Sequence, residues 1–367
     1  MATKADPIDG DGADASGPGV VPRRRDSPPT MRDIATLARV SQSTVSRVLN
    51  DVATRVPITD ETRNRVNEAA RQLGYRPNPL ARGLRGAPTM LLGAVVRDIT
   101  DPFFSGAIEA LSGAARSRGY NVVLGHAHGR ADEAIALTNV LETRHCDAII
   151  LLGDMQDQPR LLEDLRDSSV PVVALWQGSS PLDVPTVDVD NRAGVVAGLE
   201  HLVGLGHSRI AFVSARLLGD IREREAAFVE FMRERLGGVP DGYIRQVPNT
   251  PSGGEVAAKA LLELAAPPTA IITSTDTLAI GVLHAASTLG RTVPDDLSVV
   301  GFDDILFASH TNPALTTLRM PTADIVREGM DLAVDAARDP RQPRTPTVKV
   351  VAPSLIVRQS TAPPRPT

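Results

Sequence analysis

The sequence predicts two kinds of architecture in one chain: a small N-terminal all-α head, and an α/β body of two similar lobes whose parallel sheets are covered by helices. Three observations carry this. Apolar residues in 31–74 recur at helical spacing in three short segments. From Met90 onward, short apolar runs alternate with helical stretches, the pattern of buried parallel strands joined by crossover helices. The alternation persists for roughly 270 residues, more than one doubly wound unit holds.

The elements follow in order. Residues 1–30 are rich in Gly, Pro, Asp and Ala and lack apolar periodicity, so a disordered tail is expected. Its Arg23, Arg24 and Arg25 suit phosphate contact, or plain solvation. Thr30 and Asp33 resemble a capping box opening the first helix, with Ile34, Leu37 and Ala38 as its apolar face. Ser41 caps a second helix, Gln42–Leu49, which turns Val45, Val48 and Leu49 inward. Thr59 caps a third, in which Val66, Ala69, Ala70 and Leu73 repeat at i, i+3, i+4 and i+7. Gly74 ends it as a left-handed residue, and Pro77 and Pro79 stop regular structure.

In the body, Leu91–Val96 reads as a strand, Phe104–Arg118 as a helix closed by Gly119, and Val122–Leu124 as a strand. Asp132–Arg144 is helical and Ala148–Leu152 extended. Val172–Leu175, Ile210–Val213, Ala270–Thr273 and Val299–Phe302 are further buried strands. Folds of this kind bind ligands at the carboxyl ends of their strands.

Composition narrows the function. With 42% hydrophobic and 23% charged residues, the chain of 367 is an ordinary soluble globular protein. The lone Cys146 excludes an internal disulfide and a thiolate metal cluster. No apolar run approaches the roughly 20 residues of a membrane span. The N-terminus has no apolar signal region, so a cytoplasmic, nucleoid-associated protein is expected. Charge is unevenly divided. Residues 31–86 carry ten Arg against five acidic residues, whereas 87–367 carry 25 basic and 34 acidic. A basic head on an acidic body fits nucleic-acid binding, although a basic face is also commonly just solvated.

Catalytic signatures are missing: there is no GxGxxG, Walker A, HExxH or GxSxG. His126 and His128 share one face of a strand end but lack a third metal ligand. Asp303 and Asp304 are adjacent on a strand end and point apart, which disfavours joint acid–base work. No enzyme activity, metal or cofactor is expected.

The stretch Ile34–Asn50 is more informative. Two short helices with a tight turn fit helix-turn-helix geometry, with a generic helical bundle as the bland alternative. The second helix exposes Gln42, Ser43, Ser46 and Arg47, groups suited to base edges and phosphates in a major groove.

At this point the motifs resemble a known family. V-S-x-x-T-V-S-R-V-L-N from Val40 to Asn50 is similar to the signature of the LacI/GalR (lactose–galactose) repressors. Leu73–Arg82, Asp101-Pro102-Phe103-Phe104, Cys146–Ile150, Val187–Asn191, Leu205–Phe212 and Ser298–Asp304 follow in family order. The resemblance covers about residues 31–358. It implies a head at 31–77, a hinge helix at 78–88 and a two-lobed effector-binding and dimerisation body at 89–358, similar to periplasmic sugar-binding proteins. Residues 359–367 are expected to be a loose tail. It also implies a homodimer on a pseudo-palindromic operator. No leucine heptads follow Val357, so nothing beyond a dimer is expected.

Carried over by position, the DNA contacts fall on Thr30, Arg39, Ser41, Gln42, Ser43, Thr44, Ser46, Arg47 and Asn50 in the helix-turn-helix. Arg55, Tyr75, Asn78, Ala81 and Arg82 extend them, and Leu84 falls at the position of the minor-groove wedge that kinks a base step, with an ordinary contact within the dimer as the alternative. Three departures stand out. Arg39 replaces the usual glycine of the turn, the loop 51–59 is longer than the norm, and Gly83 weakens the hinge helix.

The family's effector site lies between the lobes. Its positions here are Asp98, Thr100, Phe103, Trp176, Asp190, Arg224, Thr275 and Asp303. Arg224 and Asp303 suit hydroxyls, while Phe103 and Trp176 suit a sugar ring or a base. Core packing of Phe103 and a capping role for Asp303 are the structural alternatives. Trp176-Gln177 stands where many members have Asp-Arg, Thr275 where many have Asn, and Met320 near a usual Gln. A ligand less rich in hydroxyls than a simple hexose is expected, such as a glycoside or nucleoside. The whole reads as a sequence-specific, effector-controlled transcription regulator, a repressor of a carbohydrate-uptake or catabolic operon; the alternative, a solute-binding protein of a transport system, shares the body but has no use for a helix-turn-helix.

Overall fold

The computed structural model describes residues 29–49, 57–75, 88–155, 158–178, 183–215, 219–339 and 346–365. The chain divides into two compact units, residues 1–78 and 79–367. The predicted positions Asn50, Arg55, Asn78, Ala81, Arg82 and Leu84, with the tail at 1–28, lie outside the described residues.

The first unit holds α1 (Met31–Ala38), α2 (Gln42–Leu49) and α3 (Asp60–Gln72). Thr30 and Asp33 form a reciprocal capping box, and Gly74 takes the left-handed conformation after α3. Ile34, Ala35, Ala38, Val45, Val48, Val66, Ala69 and Ala70 make its core. Leu37, expected on the inner face, is 48% exposed, and Ala35 packs inward in its place. The short α1 buries only a narrow stripe, and Leu37 lies on its far side.

The second unit contains two six-stranded sheets among its described residues. The first uses β1 (Leu91–Val96), β2 (Asn121–His126), β3 (Ala148–Leu152), β4 (Val172–Leu175), β5 (Thr186–Val189) and β11 (Val348–Val351), in the order β11-β5-β4-β3-β1-β2, all parallel. The second uses β6 (Ile210–Ala215), β7 (Ile244–Val247), β8 (Ala270–Thr273), β9 (Ser298–Asp303), β10 (Thr316–Arg319) and β12 (Ser354–Ile356), in the order β12-β10-β9-β8-β6-β7. There β12 runs antiparallel to β10. Central strands such as AIILL of β3 and IAFVSA of β6 are wholly buried, because helices cover both faces. The edge strand β2 leaves Val123 and Leu124 exposed.

Helices α4 (Pro102–Ser117), α5 (Ala131–Thr143), α6 (Gln158–Arg166) and α11 (Thr322–Arg338) clothe the first sheet. Helices α7 (Asn191–Gly204), α8 (Gly219–Leu236), α9 (Pro251–Leu262) and α10 (Asp276–Thr288) clothe the second. The chain passes between lobes after β5, after β10 and between β11 and β12. Each lobe is thus assembled from discontinuous sequence, with the cleft at the strand carboxyl ends.

One expectation is corrected. Residues 359–365 are not a loose tail. The Gln359 amide donates to the Ala314 carbonyl at 2.9 Å, and the Thr316 amide to Ser360 Oγ at 2.8 Å. Ser360 Oγ donates to the Val299 carbonyl at 2.6 Å, and buried His207 Nε2 stands 2.9 Å from the Ala362 carbonyl. Composition reads this segment as unable to bury apolar surface. Hydrogen bonds hold it instead, by using donors and acceptors beside β9 and β10 that would otherwise be unsatisfied.

Candidate nucleic-acid interface and ligand cleft

The surface of α2 is set by its buried seam. Val45 and Val48 face the core, which leaves Gln42, Ser43 and Arg47 exposed and Ser46 and Thr44 half-buried. Ser41 Oγ accepts the Thr44 amide at 3.1 Å and meets Ser43 Oγ at 2.7 Å, so the helix starts at a fixed point. Thr30 spends its hydroxyl on Asp33, and half-buried Tyr75 packs against the core. Thr30 stays exposed while it caps α1, and Tyr75 is held against the core.

Arg39 adopts φ 53° and ψ 49°, the left-handed region where the family has glycine. Its exposed side chain gains no packing in return. Arg39→Gly is expected to raise the head's unfolding free energy by about 0.5–1 kcal/mol, net of glycine's greater unfolded freedom. Hydrogen exchange of the α1–α2 amides in the full chain checks it; unchanged or faster exchange contradicts it.

The cleft brings together Phe103, Trp176, Arg224, Thr275, Asp303 and Met320, with Arg97, Asp101, Phe104, Val189 and Asp220. It is closed: the free space is about 10 Å³, a single water's worth. A larger groove of about 1100 Å³ runs along α8 beside the exposed edge of β11. That groove is open surface, whereas buried polar groups converge in the cleft.

Arg224 is 2% exposed and anchors one wall. Its Nε donates to Asn191 Oδ1 at 2.8 Å and its Nη1 to the Ser274 carbonyl at 2.6 Å. Nη1 also lies 3.4 Å from Asp303 Oδ1, and the guanidinium sits 3.7 Å above the Phe302 ring. Phe103 meets Trp176 edge-to-face at 5.2 Å. Trp176 is 2% exposed, has φ 58°, and its Nε1 has no hydrogen-bond partner.

Arg97, at the end of β1, spans the lobes. Its Nη1 is 3.1 Å from Asp154 of its own lobe and 3.4 Å from Asp220 of the other; Nη2 is 3.9 Å from Asp101. The Gly219 amide donates to the second Asp154 oxygen. Asn249 Nδ2 donates to Asp101 at 3.0 Å, and Asn249 Oδ1 accepts from Thr275 Oγ1 at 2.7 Å. Burial opposes the Arg97 charge, but Asp220, Asp154 and Asp101 outweigh it and raise its pKa. Burial, reinforced by Asp220, pushes Asp154 up to about 7 against the pull of Arg97. Burial also raises Asp101, and lifts Asp303 well above the carboxylate range despite Arg224.

Five of the eight predicted effector positions therefore line the cleft. Three do not. Half-buried Asp98 folds onto Thr100, 2.6 Å from its Oγ1, and faces His126 at 3.4 Å. Asp190 caps α7 by accepting the Ala193 amide. Asp303 and Asp304 do point apart: Asp304 pairs with Arg319 and Arg358, each at 2.6 Å. His126 and His128 stack at 3.7 Å, and no metal-holding group of three or more ligands exists among the described residues. Arg97, Asp101, Asp154, Asp220 and Asn249 were missed. Charged residues just past strands β1 and β3, Arg97 at once and Asp154 after Gly153, were the available signal for those two; the i,i+4 spacing to Arg224 was the signal for Asp220. No sequence signal marks Asn249.

The comparisons with known proteins agree with this geometry. Residues 30–78 match the model of bacterial regulatory proteins of the lacI family, and residues 199–361 match a periplasmic binding protein-like domain. The transcriptional repressor CytR of Escherichia coli K12 is 32% identical over 314 residues, which is 85% of this chain and 91% of that protein. The structure of a Lac repressor dimer bound to operator and the anti-inducer ONPF aligns with TM-score 0.82 at 25% identity, over 92% of this chain and 100% of that one. A complex of the transcriptional regulator CelR with cellobiose aligns with TM-score 0.67 at 29% identity, over 90% and 99%. Among the described residues no helix is long and apolar enough to cross a membrane. The chain belongs to the lacI family of bacterial regulatory proteins: it is a DNA-binding transcription regulator, not an enzyme.

Proposed function

We propose that this regulator is a homodimeric, nucleoid-associated cytoplasmic repressor of a carbohydrate-uptake or catabolic operon, controlled by a sugar-like effector bound between its lobes. The supporting observation is the cleft itself, where an arginine–carboxylate wall faces two aromatic rings at the carboxyl ends of two sheets. The CelR and Lac repressor structures carry cellobiose and ONPF, and a glycoside or nucleoside is the analogous ligand here. Effector binding changes the angle between lobes and so biases whether two heads reach both half-sites.

The heads read DNA with Gln42, Ser43 and Arg47 from α2, while Ser41, Thr44 and Ser46 support or touch the backbone. A pseudo-palindromic operator, selected from the chromosome by the purified chain, tests this through binding measured against salt and a sugar, glycoside and nucleoside panel. Affinity should fall steeply with salt, and one class should change it. Arg47→Ala should weaken specific binding by roughly 1–3 kcal/mol. Wild-type affinity in that variant would remove Arg47 from the reading helix.

A further inference from the structure

We propose that Asp101, Asp154 and Asp220 form a cation-recognition subsite in the cleft, filled in this structure by the chain's own Arg97, and that the effector carries a basic nitrogen that takes the guanidinium's place. The proposal rests on the reading of the cleft as the effector site and narrows its ligand to an amine, such as an amino sugar.

The three carboxylates come from separate elements. Asp101 caps α4, Asp154 follows β3 and Asp220 opens α8 in the other lobe. All three meet one guanidinium, at 3.1, 3.4 and 3.9 Å. Together with Asp303, four carboxylates share two arginines, Arg97 and Arg224. The cluster thus carries more acidic groups than cations, and a phosphate or carboxylate on the ligand would add to the imbalance.

Space decides the rest. The closed cleft has room for about 10 Å³, so a ligand must displace a side chain or part the lobes. Arg224 is pinned to Asn191 and the Ser274 carbonyl as well as to its carboxylates. Arg97 is held by the three carboxylates and the Phe104 ring, and is the easier to move. A neutral ligand that evicts Arg97 strips three buried acidic groups of their shared donor and counter-charge, so each must stay charged at a cost or take up a proton. A ligand that brings its own ammonium or guanidinium restores the balance.

A second feature points to a ligand independently. Trp176 Nε1 is buried in the cleft wall without an acceptor. A buried donor of this kind calls for an acceptor from outside the chain. The expected effector therefore combines a basic nitrogen with a hydroxyl or ether oxygen, and lays an apolar face on Phe103 and Trp176.

The test uses the full chain and its single tryptophan. Arg97→Ala should lower the thermal midpoint and shift Trp176 emission. Methylguanidinium should restore both, while urea, its neutral counterpart, and acetate should not; adding Asp220→Asn should abolish the rescue. Rescue by urea as well as by methylguanidinium, or none in a folded variant, would overturn the subsite. Should Arg97→Ala not fold, the wild type decides. D-glucosamine should bind roughly 30-fold or more tightly than N-acetyl-D-glucosamine, D-glucose or glucose 6-phosphate. Equal or weaker binding of the amine, or no binding by it, would overturn the proposal. Methylguanidinium rescue without any effect of amines on operator binding keeps the subsite and removes the effector reading.

Discussion

Replacing Arg224 by methionine is expected to destabilise the body by about 3–5 kcal/mol, the largest single effect predicted for this chain. The reason is local to one lobe. Arg224 joins Asn191 at the start of α7, the Ser274 carbonyl after β8 and Asp303 at the end of β9, with Phe302 under its guanidinium. Methionine fills much of the volume but leaves Asp303, the Ser274 carbonyl and Asn191 Oδ1 without that donor. Asp303, whose carboxyl burial already lifts well above its ordinary range, is the costliest remainder, because it must stay buried without its cationic partner or take up a proton. Arg224→Met with Asp303→Asn should therefore recover a substantial part of the loss. Denaturant melts of both variants check it. A single-variant loss below about 1 kcal/mol would show that Arg224 is not an anchor of the fold.

A second large effect concerns pH. Asp154 starts from the ordinary carboxylate value of 3.8 and is pushed up to about 7 by burial and by Asp220, against Arg97. Between those values the folded chain holds a proton that the unfolded chain releases. The contribution of Asp154 to stability is then fully present below about pH 4 and is lost as pH rises to about 7. Asp188, pushed up to about 6 by burial, acts in the same direction. His201 and His207, both lowered by burial, act oppositely below their ordinary value of 6.5. Asp154→Asn isolates the one group, because Asn stays neutral and keeps an acceptor for the Gly219 amide. The stability of the variant relative to wild type should rise by about 4 kcal/mol between pH 4 and pH 8. Calorimetry across that range measures it, and a difference independent of pH would contradict the assignment.

Much of the molecule was legible beforehand, and the reasons differ by element. The head was readable because capping, turn and core signals are local: Thr30 with Asp33, Ser41 with Thr44, and Gly74 each act within a few residues. Arg39 showed as a departure from the usual glycine of the turn, and the structure gives it the positive φ that glycine favours. Central strands showed as unbroken apolar runs because both of their faces are covered. Leu37 misled because a period of 3.6 does not say how wide the buried stripe of an eight-residue helix is.

The cleft was half legible. The family pattern located Phe103, Trp176, Arg224, Thr275 and Asp303, but gave equal standing to Asp98, Thr100 and Asp190, which serve turns and a helix cap. Nothing in the sequence shows that Arg97 and Asp220, 123 positions apart, meet across the lobes.

By itself, then, the sequence determined the α/β alternation, the helix-turn-helix and the family, since each depends on periodicity or on order along the chain. Tertiary structure alone decided which charges are buried together, how little space the cleft leaves, and that residues 359–365 pack beside β9 and β10. Those outcomes depend on desolvation and on partners brought close by three crossings between lobes. A one-dimensional pattern carries the propensity of each residue, but the energy of a buried charge is set by what folding places next to it.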